Sequence, residues 1–231
     1  MGAPIIVEAG DVATISYDPE YATNYEMGAK TQWLDRRLQL NLSVFSTDYD
    51  DLQTDQLVDN DLGAPAIITT NADEATSQGV ELEVIALVAE GLTISGTYGY
   101  LDTEITGDLF VEDGINLKGN SLRRSADNTA SLAIQYEWSL SSGATVNARA
   151  DYRYQDSYFF ENENEAITEI DSQYSVDAAL RYVTVSDKWE IKLWGKNLTD
   201  ELNVSAVTEW RNLYETYTAP RTYGASVTWR Y

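Results

Sequence analysis

Apolar and polar residues alternate with a period of two in nine segments of the chain, and none of these segments has a helical period. In the last segment Tyr223, Ala225, Val227, Trp229 and Tyr231 share one face, whereas threonine, glycine, serine and arginine residues share the other. This alternation predicts β-strands with one apolar and one polar face. The eight earlier predicted strands cover residues 25–33, 38–44, 80–86, 92–100, 130–138, 144–154, 174–182 and 189–193.

Short and long connections alternate between the predicted strands. Four are short, at 34–37, 88–91, 139–143 and 184–188, and four are long, at 48–77, 102–127, 155–172 and 198–220. Short turns at one end and long loops at the other are typical of an outer-membrane barrel. We therefore predict an all-β fold, an antiparallel transmembrane β-barrel of about nine strands here, with periplasmic turns and extracellular loops.

Aromatic residues gather at both ends of the predicted apolar faces, while alanine, valine, leucine and isoleucine occupy the middles. Tyrosine and tryptophan prefer the two interfaces of a membrane because their rings are amphipathic. A soluble β-sandwich is the alternative interpretation of the alternation. The predicted girdle is Trp33, Tyr136, Trp138, Tyr182, Trp189, Trp229 and Tyr231 at the short turns, and Tyr25, Tyr98, Tyr100, Tyr152, Tyr154, Tyr174 and Tyr223 at the long loops.

Composition removes several classes of function. The 231 residues include no cysteine and no histidine, which removes thiolate nucleophiles, imidazole bases and most zinc sites. The formal net charge of −23 argues against a nucleic-acid partner. No run of residues approaches the length of a membrane helix, and the N-terminus lacks the features of a signal peptide. We predict no enzyme activity, no catalytic residue, no cofactor and no metal site.

Charged residues fall on the polar faces of the strands and in the loops, and the apolar faces carry almost none. This separation is what lipid on one side and a wet lumen on the other require, because a charge at mid-bilayer costs roughly 2–4 kcal/mol. We therefore predict a water-filled lumen lined by charged side chains. The candidate lumen-facing residues are Glu81, Arg149, Asp151, Arg153, Arg181 and Lys192.

Several stretches together resemble the barrel of TonB-dependent outer-membrane receptors. They are "YDPEYATNYEMGAKTQWLDRRLQLNLSVFSTDYDDLQ", "NADEATSQGVELEV", "GLTISGTYGYLDTEI", "LWGKNLTDE" and "APRTYGASVTWRY". The order and spacing of these stretches carry the resemblance over nearly the whole chain. The chain differs from the family pattern at Ala126-Asp127, where Ala-Pro is common, and at Tyr231, where the last residue is usually phenylalanine.

The resemblance implies that residues 1–231 are the C-terminal part of a receptor barrel, with 1–20 as the end of an extracellular loop. The N-terminal plug and the earlier strands of the 22-stranded family barrel would then be absent. It implies a fragment of an energy-coupled receptor that imports a scarce solute such as a ferric siderophore, cobalamin or a glycan. A passive porin or adhesin barrel and, less favoured, a soluble all-β enzyme are the alternatives.

The resemblance also implies a location and partners. The location is the outer membrane of a Gram-negative bacterium, and the partners are outer-membrane lipid, the small solute, and the TonB complex acting through the missing plug. The end of the last strand resembles the signal that the barrel-assembly machinery recognises. Tyr223, Val227, Trp229 and Tyr231 would form that signal, and interfacial anchoring of the last two is the simpler interpretation.

Three loop features have competing interpretations. The run Glu161 to Glu165 could hold calcium, but it lacks the spacing of an EF-hand, so a solvated acidic loop is favoured. The basic residues Lys118, Arg123 and Arg124 would contact phosphate groups or substrate, or simply aid solubility. Asn197-Leu198-Thr199 matches a glycosylation sequon, which we interpret as accidental.

Overall fold

The computed structural model describes residues 17–59, 65–72, 74–111, 114–210 and 212–231. Nearly all regular structure in these ranges is strand, with a 3₁₀ turn at Ala166–Thr168. Within them, no helix has the length and apolar character needed to cross a membrane. In chain order the strands are β1 (Tyr21–Trp33), β2 (Leu38–Asp50), β3 (Gln53–Asp59), β4 (Pro65–Asn71), β5 (Glu74–Ala89), β6 (Leu92–Ile105), β7 (Asn128–Ser139), β8 (Thr145–Gln155), β9 (Tyr158–Phe159), β10 (Glu169–Ile170), β11 (Gln173–Val183), β12 (Trp189–Lys196), β13 (Val204–Trp210), β14 (Asn212–Tyr217) and β15 (Thr222–Trp229).

Nine strands form one antiparallel sheet in the order β1-β2-β5-β6-β7-β8-β11-β12-β15. Each strand pairs with the next strand of the sheet along the chain, as expected for an up-and-down barrel wall. The predicted all-β antiparallel architecture and the number of nine wall strands are therefore confirmed. β1 and β15 are the two edges of this sheet in the described part of the chain.

The register places all predicted apolar residues on one face. Directly paired residues of antiparallel strands point the same way, so a row of pairs crosses the sheet on a single face. One row starts at the short-turn end of β1 and reaches the long-loop end of β15. It runs through Trp33, Leu38, Ala86, Ile94, Ile134, Ala150, Ala178, Gly195 and Tyr223. This stagger is the signature of strands tilted against the axis of a barrel.

The apolar face of the sheet is uncovered in the described residues. Many mid-sheet aliphatic side chains remain well exposed, for example 42 % for Ile191 and 62 % for Val227, and Met27 at 81 % is more exposed still. A soluble sandwich would bury this face against a second sheet. The exposure therefore contradicts the sandwich alternative and fits a surface that meets lipid.

Most of the buried apolar residues lie instead in two small clusters among the long loops. The first cluster contains Ala72, Ile105, Leu109 and Leu117. The second contains Phe160, Ile170 and Val207. The loops thus pack on one another and bury apolar side chains that the single-layered sheet does not cover.

The strands are longer than predicted and the long loops contain structure. β2, β5 and β6 continue beyond the predicted ends toward the loops, and β3–β4, β9–β10 and β13–β14 form hairpins that the sequence did not indicate. The final strand is shorter than predicted, because it ends at Trp229 rather than Tyr231. The Arg230 N–H still donates to the Lys188 carbonyl at 2.8 Å, and Tyr231 is fully exposed. Of the predicted loop end at 1–20, residues 1–16 lie outside the described residues.

The first short turn is strained. Leu34, Asp35 and Arg36 have φ angles of 55°, 56° and 68°, in the left-handed region that costs about 1–2 kcal/mol for most residues. The next residue holds the turn in place, since the Arg37 guanidinium donates to the carbonyls of Leu87 and Val88 at 3.1 and 2.9 Å.

Replacing Leu34 with glycine is expected to stabilise the protein by about 0.5–1 kcal/mol, because glycine relieves the strain but adds freedom to the unfolded chain. Urea-induced unfolding in lipid vesicles measures the change. Arg37→Gly is the matched control and should destabilise, because it removes two hydrogen bonds to β5. Destabilisation by both variants would show that the turn is not strained.

Candidate functional site

The polar face of the sheet carries a balanced set of charges. The six predicted lumen-facing residues share this face by register, although their role in a lumen stays a prediction. Acidic and basic side chains occur on it in equal number, so the excess negative charge of the protein lies elsewhere. The acidic members are Glu26, Glu81, Glu83, Glu137, Asp151, Asp177 and Glu190, and the basic ones are Lys30, Arg149, Arg153, Arg181, Lys192, Lys196 and Arg230, which follows β15 directly.

Three of the predicted residues take part in ion pairs near the middle of the face. The Arg149 guanidinium contacts Asp151 at 2.6 Å and also donates to the Gln135 side chain at 3.4 Å. Arg153 contacts Asp177 on β11 at 3.3 Å, and its side chain is 62 % exposed. Arg149 is thus largely committed to Asp151, whereas Arg153 keeps donors free, because a guanidinium carries five N–H groups.

A second group of charges ties the last strands together at the short-turn end. The Glu190 carboxylate accepts hydrogen bonds from Arg181 at 2.9 Å and from Arg230 at 2.7 Å. These three residues link β11, β12 and the residue after β15. Lys192, the remaining predicted basic residue, forms no ion pair with the described residues.

A shallow trough runs along β6 and β7 between the charged strands β5 and β8. One row of paired residues crosses it from Glu83 through Thr97 and Ser131 to Arg153. The hydroxyl groups of Thr97 and Ser131 lie 2.7 Å apart and form its floor. The depression measures about 300 Å³. We call it the β6–β7 trough.

The long loops are joined by asparagine side chains. Asn162 is buried, its amide nitrogen donates to the Thr54 hydroxyl at 2.9 Å, and its carbonyl oxygen accepts from the Arg123 N–H at 2.9 Å. Asn164 both accepts from the Ser121 N–H at 2.8 Å and donates to the Ser121 carbonyl at 3.0 Å. Three loops, those after β2, β6 and β8, therefore form one unit.

Charged residues complete this unit. Arg123 lies between Asp55 at 3.9 Å and Glu161 at 3.8 Å, and the Arg124 guanidinium lies 4.1 Å from the centre of the Phe160 ring. The run from Glu161 to Glu165 is therefore a packed connector between loops, not a purely solvated one. The described residues contain no group of acidic side chains arranged to hold a metal ion.

Replacing Asn162 with alanine is expected to destabilise the loop unit by about 2 kcal/mol, because the buried Thr54 hydroxyl and the half-buried Arg123 N–H lose their partner. Hydrogen exchange of the amides of 119–124 should accelerate in the variant. Glu163→Ala, at the exposed neighbouring position, is the control and should leave exchange unchanged. Equal exchange in the two variants would contradict the role given to Asn162.

A clasp of polar groups holds the long-loop ends of β11, β12 and β15. The buried Asn197 accepts from the Glu201 N–H at 2.9 Å and donates to the carbonyls of Glu201 and Ala219 at 2.9 and 3.3 Å. Its own N–H donates to Asp177 at 2.9 Å. Arg221, which precedes β15, pairs with Asp200 at 3.2 Å. Glycosylation of Asn197 is incompatible with this arrangement.

Hydrogen bonds also fix a carboxylate just beyond β8. Asp156 accepts from the Asn128 amide at 2.8 Å and from the Tyr154 hydroxyl at 2.9 Å. Because these bonds favour the charged form, first that from Asn128 and then that from Tyr154, the pKa of Asp156 is lowered from its ordinary value. The Asp156 carboxylate at the long-loop end of the sheet therefore stays negatively charged down to acidic pH.

The residues predicted as an assembly signal lie at the edge strand β15. Tyr223, Val227 and Trp229 share the apolar face, and the Trp229 ring lies 6.1 Å from the ring of Trp189 and 4.3 Å from that of Tyr231. The contacts fit interfacial anchoring, and recognition by the assembly machinery stays a prediction.

The sequence analysis missed the residues of the trough floor and the loop-joining asparagines. The alternation of Thr97 and Ser131 with apolar neighbours did place both on the polar face. Their pairing across the two strands follows only from the register. Asn162 and Asn164 gave no sequence signal, since their partners in the other loops are 39 to 108 residues away.

Comparisons with known proteins point to one family. The family model described as "TonB dependent receptor-like, beta-barrel" matches residues 3–198. The metal-pseudopaline receptor CntO of Pseudomonas aeruginosa is 32 % identical over 143 residues, which are 59 % of this chain and 19 % of that protein. The ferric-pyoverdine M114 receptor PbuA of Pseudomonas sp. strain M114 is 27 % identical over 197 residues, 82 % of this chain and 22 % of that receptor.

Solved receptors share the fold. The ferric yersiniabactin uptake receptor FyuA of Yersinia pestis superposes with a TM-score of 0.73 at 18 % identity, covering 91 % of this chain and 30 % of that one. The siderophore receptor PiuA of Acinetobacter baumannii gives a TM-score of 0.71 at 25 % identity, covering 93 % and 29 %. The chain spans about a fifth of the length of the curated relatives and about three-tenths of the solved receptors.

Proposed function

Because the chain belongs to the TonB-dependent receptor β-barrel family, we propose that it forms part of the wall of an energy-coupled receptor that imports a metal–siderophore complex. The receptor would lie in the outer membrane of a Gram-negative bacterium. The observation that carries the proposal is the uninterrupted apolar face of nine paired strands, with a charged face behind it. Lipid on one side and a water-filled lumen on the other account for both faces.

The relatives support a siderophore as the solute. CntO is named for a metal-pseudopaline complex and PbuA for a ferric-pyoverdine complex, and PiuA is titled a siderophore receptor. None of these names supports cobalamin or a glycan, the other solutes that the resemblance allowed. The relatives are receptors, so we infer binding and transport rather than catalysis.

The joined loops, the charged polar face and β15 each have a role in the proposed receptor. The joined loops at the extracellular end, with Asn162 at their centre, would hold the mouth of the barrel in a fixed shape. The charged polar face would contact the plug and the passing solute. The partners would be lipid, the TonB complex acting through the plug, and the assembly machinery acting on β15.

Uptake of radioactive iron tests the proposal. Cells lacking their own siderophore receptors, with and without the whole receptor to which this chain belongs, are given ferric pyoverdine or the iron complex of pseudopaline. Saturable uptake that depends on the protein and on TonB is expected. A strain with the protein but without TonB is the control. Uptake that persists without TonB, or that is not saturable, would favour the passive porin instead.

A further inference from the structure

The β6–β7 trough is bounded by opposite charges that do not neutralise each other. Glu83 on β5 and Arg153 on β8 belong to the same row, three strand spacings or about 14 Å apart, which is too far for a direct ion pair. Between them lie only Thr97 and Ser131. The row therefore presents an acid, two hydroxyl groups and a base in sequence.

The acidic side of the trough holds an uncompensated charge. The Glu83 carboxylate accepts a hydrogen bond from the Asn41 amide at 2.7 Å, and within the described residues no cation lies within ion-pair distance of it. A carboxylate accepts up to about four hydrogen bonds, so acceptor sites remain. An ammonium group fits this position best, because it supplies both the charge and the missing donors.

The basic side is open as well. Arg153 contacts Asp177 through one nitrogen at 3.3 Å, and 62 % of its side chain is exposed. Arg149 lies on the same strand four residues nearer the short-turn end, although it is bound to Asp151. A carboxylate fits beside Arg153, because a guanidinium binds planar oxyanions through paired donors.

We propose that the β6–β7 trough is a binding track for a zwitterionic aminocarboxylate solute, with its ammonium group beside Glu83 and its carboxylate beside Arg153. The small floor residues Thr97 and Ser131 leave room for the chain between the two charged groups and offer it hydrogen bonds. The inference rests on the proposed function, because it needs the polar face to line a lumen.

Single cysteines test the track, since the chain has none of its own. Thr97→Cys and Ser131→Cys place thiols on the floor, Ser226→Cys places one on the same face away from the trough, and Leu132→Cys places one on the apolar face. Cells producing each variant are treated with membrane-impermeant cationic and anionic thiol reagents. Labelling rates are then compared with and without triglycine, a zwitterion about 10 Å long when extended.

The inference predicts a charge preference at each floor position. Thr97→Cys should react about fivefold faster with the cationic than the anionic reagent at low ionic strength, and Ser131→Cys should show the reverse. Glu83→Gln should remove the preference at Thr97→Cys. Triglycine should slow labelling at both floor positions and not at Ser226→Cys, and acetylated triglycine amide, which lacks both charges, should slow neither.

The outcomes separate the inference from the proposed function. Labelling of Leu132→Cys as fast as Ser226→Cys would overturn the proposed function itself. Labelling confined to the polar face, but with no charge preference or with equal protection by the neutral peptide, would overturn only the track. If Ser226→Cys reacts and neither floor cysteine does, a protein segment covers the trough, and the solute track is wrong.

Discussion

Replacing Ile134 with arginine is expected to destabilise the protein by about 2–4 kcal/mol in lipid vesicles, the cost of a charge near the middle of a bilayer on a lipid-facing strand position. Ile134 lies in the middle of β7 on the apolar face and is 43 % exposed, so packing within the protein contributes little to the loss. Reversible urea unfolding in vesicles, followed by tryptophan fluorescence, measures the effect.

Ala133→Arg is the matched control at the adjacent residue of β7. It lies on the polar face opposite Asp151, and we expect a change within about 0.5 kcal/mol. The same pair of variants in a single sheet with water on both faces would give similar, small losses, because both side chains would reach water. A loss at Ala133→Arg as large as that at Ile134→Arg would therefore contradict the assignment of the two faces.

Replacing Asn197 with alanine is expected to cost about 3 kcal/mol of unfolding free energy. The variant loses three side-chain hydrogen bonds in a buried position, and groups left unpaired there are costly. Asn197 also has a φ of 49°, a conformation that asparagine tolerates better than alanine. Urea unfolding in vesicles measures the loss.

Two variants separate the causes. Asn197→Gly keeps the left-handed backbone and loses the side-chain bonds, so its loss should be smaller than that of alanine. Asn203→Ala removes a single hydrogen bond to the Tyr174 carbonyl, and we expect about 1 kcal/mol or less. If Asn203→Ala costs as much as Asn197→Ala, the clasp does not depend on Asn197.

The strands of the barrel wall were predictable because the two faces of each strand are set by its own residues. The period-two pattern places Ile134 and Tyr223 on one face and Arg149 and Arg181 on the other without knowledge of any partner strand. Pairing across the four short connections followed as well, since a short turn forces neighbouring strands to pair. The pattern predicted the strand ends less well. Regular strand geometry in β15 ends at Trp229, although the Arg230 N–H still donates to the Lys188 carbonyl.

The loops were not predictable because their contacts join distant residues. The Asn162 amide meets Thr54 across 108 positions, and Arg123 meets both Asp55 and Glu161. Nothing in the run "ENENE" distinguishes a packed asparagine from a solvated one. The acidic composition of these loops predicted a solvated segment. The alternate residues Asn162 and Asn164 nevertheless join this run to the other loops through hydrogen bonds.

The most direct test of the account is a spin-label scan of residues 129–138 in vesicles, one cysteine at a time. The account predicts that oxygen, which concentrates in lipid, relaxes labels at even positions such as Leu132 and Ile134. A water-soluble nickel complex should relax labels at odd positions such as Ser131 and Ala133. The account would be contradicted if oxygen and the nickel complex relaxed labels at the same positions. It would also be contradicted if the nickel complex relaxed labels at even and odd positions equally.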